Sequence, residues 1–529
     1  MTGPHEQAET GFSRDLSGPN VGRRIVLVGT ASTLPGLAPQ FVFGTGLAKA
    51  VAVVALGHAP DPTRLCGLPI WRSLDELHEQ HERDPISMAV VSVPQRDGRL
   101  RDDVLARLRD LGIIARLVTP LDELLLGDAA TPQKQRVTID PARLIDRTPR
   151  SIDRGAVAQV LEGRRVLITG AGGSIGSELC RIAASFNPAC IILVERSENA
   201  LFDIDRTLAR RFPNVPRRAV LHDVTDAPST LDHFVALRPH TVFHAAAHKH
   251  VPLMEDHPSH AVDNNFFGTK SVADACLAVG AERFVLISSD KAVHPSSVMG
   301  ATKRLAEMYV HGLSNQAGES GTGLSMVRFG NVLGSACSVL PIWESQISEG
   351  GPVTVTDARM TRYFMTIHEA ASLVVQASAL SIRKGAPAAV YVLDMGRPVR
   401  ILDLAHRFIE AHGFRPHTTE SVCPTDPRVP GMEIRFTGIR PGEKLHEELA
   451  YSAEHLAPTG HPGILSFTPP ATTAHDVGRL VAELAAVRHC TDKGIVLAAI
   501  RRNVPDMKTS SLDTAHTANM SKHQKLQAA

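Results

Sequence analysis

The sequence has few cysteines, no excess of charge of either sign and no long uninterrupted apolar run. Its seven cysteines are scattered, odd in number and never in a CxxC pair, which favours reduced thiols in a cytoplasmic protein over a disulfide framework. With 56 Lys and Arg against 55 Asp and Glu residues, no global field favours nucleic acid as a partner. The polar N-terminus is typical of neither a signal nor a transit peptide, and the apolar window over 41–59 contains Lys49, so we find no membrane span.

The remaining composition is that of a folded protein with several domains. A chain of 529 residues is too long for one ordinary hydrophobic core, so two or three domains are expected. Hydrophobic residues at 43% and charged residues at 21% exclude disorder over most of the chain, because a disordered chain is less hydrophobic and more highly charged.

Two segments start alike, with IVLVG after residues 22–24 and VLITG after residues 163–165. Each is a short β-branched run ending in glycine, as expected for the first strand of a parallel sheet. Strand patterns such as MAVVSVP and CIILVE then alternate with helical patterns such as SLDELHEQHE, which predicts an α/β fold with two doubly wound, Rossmann-like domains. The predicted organisation is a disordered N-terminus over 1–20, a first domain over 21–126, a linker over 127–162, a second domain over 163–504 and a disordered tail over 505–529.

A glycine-rich turn follows the first strand of the second domain. Small residues there let the backbone approach a pyrophosphate and present N–H groups at a helix N-terminus. Glu195 ends the next strand, where a carboxylate meets a ribose hydroxyl and repels the extra phosphate of NADP, so NAD is favoured and Arg196 leaves NADP open. The residues assigned to this cofactor site are Thr169, Gly170, Gly172, Gly173, Ser174, Ile175, Gly176, Glu195, Arg196, Ser197, Asp223, Val224, Ala245 and Ala246.

The equivalent turn of the first domain, Gly29 to Gly36, lacks the glycine spacing, and Pro35 removes a phosphate donor. A scaffold or assembly role is therefore favoured there over a second cofactor. Metal binding is also disfavoured: His244, His248 and His250 straddle a strand end, and no carboxylate or cysteine completes a ligand set.

Two further segments carry candidate catalytic groups. A predicted strand ends in Ser289, Asp290 and Lys291, which places acid–base groups where parallel sheets position their chemistry. Met299 and Lys303 follow with the spacing of the Tyr-x-x-x-Lys pair of short-chain dehydrogenases. Because a thioether cannot transfer a proton, Met299 weakens the argument for a dehydrogenase triad.

The blocks TGAGGSIGSEL, AAHKHVPLME, NNFFGT, SSDKAVHPSSVMGATKR, VRFGNVLGS, GGPVTVTDARMTRYFMT and IRPGEKLHEEL occur in this order. They resemble the signature blocks of the UDP-N-acetylglucosamine 4,6-dehydratase family of polysaccharide biosynthesis proteins, within the extended short-chain dehydrogenases, over about 140–505. The resemblance implies a small C-terminal substrate-binding subdomain. The first domain is similar to the degenerate, CoA-binding-like domain of the family's large branch, in which Met at the tyrosine position is common and transmembrane helices usually precede that domain.

The resemblance implies a reaction in which C4 of a UDP-N-acetylhexosamine is oxidised temporarily, water is lost across C5 and C6, and hydride returns to C6. By similarity, Lys291 takes the C5 proton, Asp290 protonates O6, Ser289 binds O4 and Lys303 orients the cofactor ribose. A neutral Lys291 requires a pKa lowered by burial or by Lys303. Either Lys291 or a bound water would take the proton from O4.

Other matching blocks supply the predicted substrate site. Asn331 and Arg440 match positions that bind the diphosphate in extended short-chain dehydrogenases, and the remaining candidates are Lys249, Asn265, Arg362 and Glu443. After VLGS the chain has Ala336 and Cys337 where relatives usually have a residue such as Arg followed by Gly, which makes the geometry of this loop an open question. A nucleophilic role for Cys337 is disfavoured because no His partner is evident.

Two other functions compete with the dehydratase. A UDP-sugar 4-epimerase uses the same fold and hydride step but needs no acid at O6, so the Asp290–Lys291 couple argues against it. An inactive nucleotide-sugar sensor or assembly partner is suggested by Met299 and by the altered loop at Ala336. The expected partners are a UDP-sugar and further copies of the same chain.

Overall fold

The computed structural model describes residues 24–35, 37–38, 49–57, 64–94, 97–118, 120, 141–316, 321–380, 387–418, 430–470 and 473–508. The predictions for residues 1–20, for 121–126 of the first domain, for 127–140 of the linker and for 509–529 of the tail lie outside this set. The chain divides into two compact units, one formed by residues 1–138 and 426–429 and the other by 139–425 and 430–529. In the described part of the chain, no helix combines the length and the apolar character needed to span a bilayer.

The first unit contains a six-stranded sheet with the order β3-β4-β2-β1-β5-β6. All neighbours pair in parallel except β3 and β4. Buried aliphatic side chains cover both faces of the sheet, which is why its strands are continuous apolar runs. Its elements are β1 (Arg24–Thr30), β2 (Lys49–Leu56), β3 (Arg64–Leu65), β4 (Leu68–Trp71), α1 (Leu74–Arg83), β5 (Met88–Ser92), α2 (Gly98–Asp110) and β6 (Ile114–Leu117).

The turn after β1 is closed by Thr33. Its hydroxyl accepts a hydrogen bond from the Thr30 backbone N–H at 3.0 Å and donates to the Ser92 carbonyl at 2.6 Å. A ligand phosphate at this turn would lose the Thr30 donor, because that N–H already has a partner inside the protein. A scaffold or assembly role for the first domain, which the sequence favours over a second cofactor, stays a prediction.

The second unit is built on a nine-stranded sheet with the order β21-β22-β17-β12-β11-β10-β7-β8-β9. The seven strands from β9 to β17 run parallel, and β22 and β21 extend the sheet as antiparallel strands. This topology confirms the predicted doubly wound fold. The strands of this sheet are β7 (Arg165–Thr169), β8 (Cys190–Glu195), β9 (Arg217–Leu221), β10 (Thr241–His244), β11 (Arg283–Ile287), β12 (Gly323–Arg328), β17 (Ala389–Leu393), β21 (Ala457–Pro458) and β22 (Ile464–Phe467).

Helices cover both faces of this sheet and bury two clusters of apolar side chains. Alternate residues of one strand belong to different clusters, as period-two side-chain geometry requires: Leu167 packs in one and Ile168 in the other. The helices of the second unit are α3 (Pro141–Leu144), α4 (Arg154–Leu161), α5 (Ser174–Ala184), α6 (Glu198–Arg211), α7 (Ala227–Leu237), α8 (Val251–Asp256), α9 (Pro258–Ala261), α10 (Gly268–Ala278), α11 (Val298–Gln316), α12 (Val339–Ser348), α13 (Ile367–Ala379), α14 (Ile401–Ala411), α15 (Ala474–Ala485) and α16 (Lys493–Asn503), with a π-helical turn over Val262–Phe267 and a 3₁₀ turn over Asp290–Ala292.

A smaller substructure follows β12 and packs around Trp343, which is fully buried. Its indole N–H donates to the Thr354 carbonyl at 2.7 Å, so the buried ring leaves no unsatisfied donor. Three short sheets form this region: β13 with β16, β14 with β20 and β19, and β15 with β18. Their strands are β13 (Asn331–Leu333), β14 (Val353–Val355), β15 (Thr361–Arg362), β16 (Phe364–Thr366), β18 (Val399–Arg400), β19 (Arg415–Thr418) and β20 (Gly431–Phe436).

Residues 141–162, which we predicted as part of a linker, pack within the second unit. Arg147 forms a forked ion pair with Glu369 at the start of α13, with N–O distances of 2.7 and 2.9 Å, and the Glu369 side chain is fully buried. A buried carboxylate needs such a partner. At the other end, Met507 is buried and the Lys508 N–H donates to the Pro295 carbonyl, so ordered packing continues past residue 505, where we predicted a disordered tail.

Candidate functional site

The glycine turn of the second unit lies at the carboxyl end of β7, where α5 begins. Gly170 has a φ of +63°, and a Cβ there would lie 2.8 Å from the Ala246 nitrogen. A Cβ on Gly172 would lie 2.5 Å from the Ala200 Cβ, and one on Gly176 only 2.0 Å from the Gly170 carbonyl oxygen. These glycines therefore permit a left-handed turn and close backbone packing. Gly173, the N-cap residue of α5, offers no side chain to the first-turn N–H groups, which stay available to an anion.

We expect Gly176→Ala to destabilise the second unit, because the new methyl group must displace the Gly170 carbonyl rather than a flexible side chain. The free energy of unfolding should fall by about 2 kcal/mol or more. Gly478→Ala, in α15, is the matched control, since a Cβ at that position meets no atom within 4 Å. Equal melting temperatures for the two variants in calorimetry would contradict this expectation.

Glu195 holds the glycine turn in place. One of its carboxylate oxygens accepts a hydrogen bond from the Gly172 N–H at 3.1 Å, and the other accepts from the N–H groups of Arg196 and Ser197 at 3.0 and 3.1 Å. Arg196 extends toward Asp223, with 3.8 Å between charged atoms. The carboxylate therefore borders the place where the sequence predicted a ribose.

A cleft runs along the carboxyl ends of β7, β8 and β10. It brings together most of the predicted cofactor residues and Ala247, which continues the run of small residues after β10, together with Val194, His222 and Asn264, which sequence reasoning missed. Asn264 lies in the π-helical turn, whose register no helical pattern predicts. The predicted residues that line the cleft are Gly170, Gly173, Glu195, Arg196, Asp223, Val224, Ala245 and Ala246.

His244 supports the turn from the core rather than binding a ligand. Its ring nitrogens pair with the hydroxyls of Thr169 at 2.8 Å and Thr269 at 3.1 Å. Burial, together with the positive charge of Lys303, lowers the pKa of His244 to about 3, so the ring is neutral at physiological pH. Both nitrogens are therefore engaged within the protein.

The catalytic candidates lie where β11 ends. Asp290 is fully buried, and its Oδ1 accepts hydrogen bonds from the Ser289 hydroxyl at 2.9 Å and from Lys291 Nζ at 3.0 Å. Its Oδ2 is buried without a partner. Lys291 Nζ also donates to the Asn331 side-chain oxygen at 3.1 Å and lies 3.5 Å from a carboxylate oxygen of Glu447.

The charges around Lys291 determine its protonation. Burial favours a neutral lysine, but the carboxylates of Asp290 and Glu447 outweigh burial and raise the pKa of Lys291 above its ordinary value, whereas a neutral Lys291 requires a lowered one. Burial likewise raises the pKa of Asp290, although the lysine opposes it. Sequence reasoning missed Glu447, which belongs to the IRPGEKLHEEL block but lies in an irregular segment.

Met299 and Lys303 lie in the first turns of α11, and both are buried. Lys303 Nζ donates to the Ile287 carbonyl at 2.7 Å, at the end of the strand that carries Asp290. Burial lowers the pKa of Lys303 to about 8. An ammonium group has three donors, so this contact leaves capacity for hydroxyl groups of a ligand.

Three predicted substrate residues have partners within the protein. The Asn265 amide binds the backbone of His248 and the Thr302 hydroxyl, so we revise its role to positioning. Arg362 donates to the carbonyls of Thr361, Lys444 and Leu445 and therefore fixes the backbone of a neighbouring segment. Arg440, which we predicted at the diphosphate, forms an exposed pair with Glu443.

A second cleft contains Lys291 and three of the six predicted substrate residues, Asn331, Arg362 and Glu443. It also contains Ser296, Ser297, Lys444 and Glu447, which were not predicted. Five ionisable side chains thus border one cleft, three basic and two acidic. Such an arrangement suits an anionic, hydroxyl-rich ligand.

The loop with the unusual residues Ala336 and Cys337 crosses the glycine turn. The Ala336 N–H donates to the Ser174 hydroxyl at 3.1 Å, and its carbonyl accepts from Lys249 Nζ at 2.7 Å. Both contacts use the backbone, so the altered side chain at 336 leaves them intact. Cys337 has a φ of 55°, a left-handed conformation that glycine adopts more readily.

Comparisons with known proteins match most of the second unit, including the residues of both clefts. A family profile described as "Polysaccharide biosynthesis protein" matches residues 166–469. The probable polysaccharide biosynthesis protein EpsC of Bacillus subtilis is 43% identical over 404 residues, and the chain spans 64% of its length. The inverting UDP-N-acetylglucosamine 4,6-dehydratase of Campylobacter jejuni is 30% identical over 301 residues, which are 56% of this chain and 80% of that protein.

Among solved structures, the X-ray structure of Pen from Bacillus thuringiensis matches with a TM-score of 0.51 at 28% sequence identity. The match covers 59% of this chain and 92% of that chain.

Proposed function

Because the chain belongs to the polysaccharide biosynthesis protein family, as its signature blocks predicted, we propose that it is a nucleotide-sugar 4,6-dehydratase. The proposed substrate is a UDP-N-acetylhexosamine, with UDP-N-acetylglucosamine the first to test, and the product is a UDP-4-keto-6-deoxy sugar. The observation that carries the proposal is the pair formed by the buried Asp290 and the half-buried Lys291 at the end of β11. An epimerase has no need of an acid for a leaving hydroxyl, whereas a dehydratase does.

The first cleft fits a nicotinamide dinucleotide. The first-turn N–H groups of α5 have no side-chain cap, which suits a pyrophosphate, and the Glu195 carboxylate suits ribose hydroxyls. Lys303 would add a hydrogen bond to the second ribose. When bound, the dinucleotide would supply reversible hydride acceptance at C4. The Glu195 carboxylate favours NAD over NADP.

Asp290 and Lys291 share the proton that the reaction needs. Their charged atoms lie 3.0 Å apart, and moving one proton from the lysine to the carboxylate gives a neutral amine beside a carboxylic acid. The raised pKa of Asp290 lowers the free-energy cost of this neutral pair, because burial penalises the Asp290 anion, whereas the raised pKa of Lys291 keeps the ion pair as the resting state. The couple thereby contains a base and an acid at the same time.

The elimination then divides between the two side chains. The O4 proton released when C4 is oxidised passes to a bound water. The Lys291 amine then takes the C5 proton, the C6–O6 bond breaks, and Asp290 gives its proton to O6, which leaves as water. Lys291 returns a proton to C5 as hydride returns to C6, and the proton released from O4 replaces the one that Asp290 gave up. Ser289, which donates to Asp290 Oδ1 in the structure, is assigned to O4 of the sugar. Met299 has no proton to exchange, so the acid–base work falls to Asp290 and Lys291.

The product of the purified protein tests the proposal. Incubation with UDP-N-acetylglucosamine and NAD should give a new methyl signal in the proton NMR spectrum, because C6 becomes a methyl group. A galacto product with its hydroxymethyl group intact would show an epimerase instead. Binding of UDP without turnover, together with activity gained by Met299→Tyr, would support an inactive sensor.

Several predictions from the sequence stand beside this proposal. A cytoplasmic location, assembly into a homo-oligomer and a scaffold role for the first unit stay predictions. The C5 configuration of the product follows from the face on which the proton returns to C5, which the same NMR spectrum would report.

A further inference from the structure

Glu447 is a third ionisable group beside the catalytic couple, and it comes from a different part of the chain. It follows the Arg440–Glu443 pair, whereas Asp290 and Lys291 end β11. Its side chain is only 3% exposed, and one carboxylate oxygen lies 3.5 Å from Lys291 Nζ. The other oxygen, Oε2, is buried without a hydrogen-bond partner, although Lys444 Nζ lies 3.7 Å away.

The other cations near Glu447 already have partners. Arg362 donates to three backbone carbonyls and approaches Glu447 only to 3.9 Å. Lys444 donates to the Val293 carbonyl at 2.6 Å, which ties the Glu447 segment to the residues that follow Lys291. Lys291 is therefore the cation that Glu447 approaches most closely, and the Val293 contact fixes the segment that brings them together.

We propose that Glu447 is a positioning residue that holds the Lys291 amine between two carboxylates and leaves Oε2 free to accept a hydrogen bond from a sugar hydroxyl. This inference rests on the proposed dehydratase. The groups that face Lys291 are Asp290, Glu447, Arg362 and Lys444, of which the two carboxylates favour its protonated form and the two cations oppose it. Removing the Glu447 charge should make Lys291 easier to deprotonate.

The test measures the protonation of Lys291 directly. In competitive acetylation with acetic anhydride, followed by peptide mass spectrometry, the pH midpoint for Lys291 should fall by about one unit in Glu447→Gln. The rising limb of the pH profile of kcat should move to lower pH with it, whereas kcat on the plateau should fall about tenfold to a hundredfold, because the amine loses a group that holds it in place. Glu448→Gln is the matched control, because that neighbouring carboxylate pairs with His294.

An unchanged or higher midpoint in a folded Glu447→Gln protein would overturn the inference. If that variant does not fold, Glu447→Asp, which keeps the charge but withdraws it by one methylene, should show a smaller fall, and an unchanged midpoint there would overturn it equally. The acetylation result needs no turnover. A wild-type protein that gives no methyl product would therefore refute the dehydratase while leaving the role of Glu447 measurable.

Discussion

Replacing Lys291 by methionine is expected to lower kcat for the methyl product by about a thousandfold, since general-base catalysis contributes roughly 10² to 10⁴. Methionine keeps the length of the side chain but cannot take the C5 proton. It also leaves Asp290 and Glu447 without their shared cation, so melting temperature and UDP binding must be measured beside the rate. A folded variant that binds UDP and retains half or more of the wild-type rate would remove Lys291 from the mechanism.

Asp290→Asn separates the two proton transfers. The amide cannot protonate O6, so the methyl product should fall at least a hundredfold. The C5 proton should still exchange with solvent deuterium, because the Lys291 amine remains and has lost an anion that favoured its charged form. Proton NMR in D₂O would report both results, and loss of exchange together with elimination would show that Asp290 is needed earlier than O6 protonation.

The largest expected loss of stability follows from Arg328→Met. The Arg328 side chain is fully buried and forms a forked pair with Glu307, with both N–O distances 2.7 Å, and a third contact with Glu454 at 2.8 Å. Glu307 also accepts from the Ser288 hydroxyl, directly before the catalytic segment. Without the arginine, two carboxylates remain in a low-dielectric interior, which should cost about 3–5 kcal/mol.

The loss of stability in Arg328→Met should depend on pH. Burial opposes ionisation of Glu307, but Arg328 outweighs it and lowers the pKa of Glu307 in the folded state. The pair therefore contributes stability above the unfolded pKa of about 4.3, and this contribution is lost as pH falls through the folded pKa. The deficit of Arg328→Met should thus be largest near neutral pH and shrink in acid. Arg359→Met, at an exposed pair with Asp357, is the control and should keep the wild-type melting temperature.

The parts of the fold that follow from local pattern were predictable. The strand that ends at Thr169, the glycine turn and the acidic residue at 195 occur in a fixed spacing, and the physical needs of a tight turn and a helix N-terminus leave few alternatives. The segment from Arg147 to Asp153 was assigned to a linker because it has no periodicity. Its packing depends on long-range contacts, among them the Arg147–Glu369 pair and the hydrogen bond from the Asp153 N–H to the Gln376 side chain, and such contacts leave no local pattern.

In the catalytic cluster, too, local contacts were predictable from the sequence and long-range contacts were not. Asp290 and Lys291 are adjacent in sequence and follow an evident strand, so their meeting could be predicted. The direction of the Lys291 pKa could not, because it depends on Glu447, which approaches through an irregular segment more than 150 residues later. Burial alone predicts a neutral lysine, and only the positions of two carboxylates reverse that expectation.

The fate of the hydrogen on C4 tests the proposed reaction most directly. UDP-N-acetylglucosamine carrying deuterium at C4 should give a 4-keto product with that deuterium in its C6 methyl group, because hydride leaves C4 and returns to C6 of the same sugar. Mass spectrometry and NMR of the product locate the label. Deuterium found at C4 of a galacto sugar, or a methyl group that contains none of it, would contradict the dehydratase.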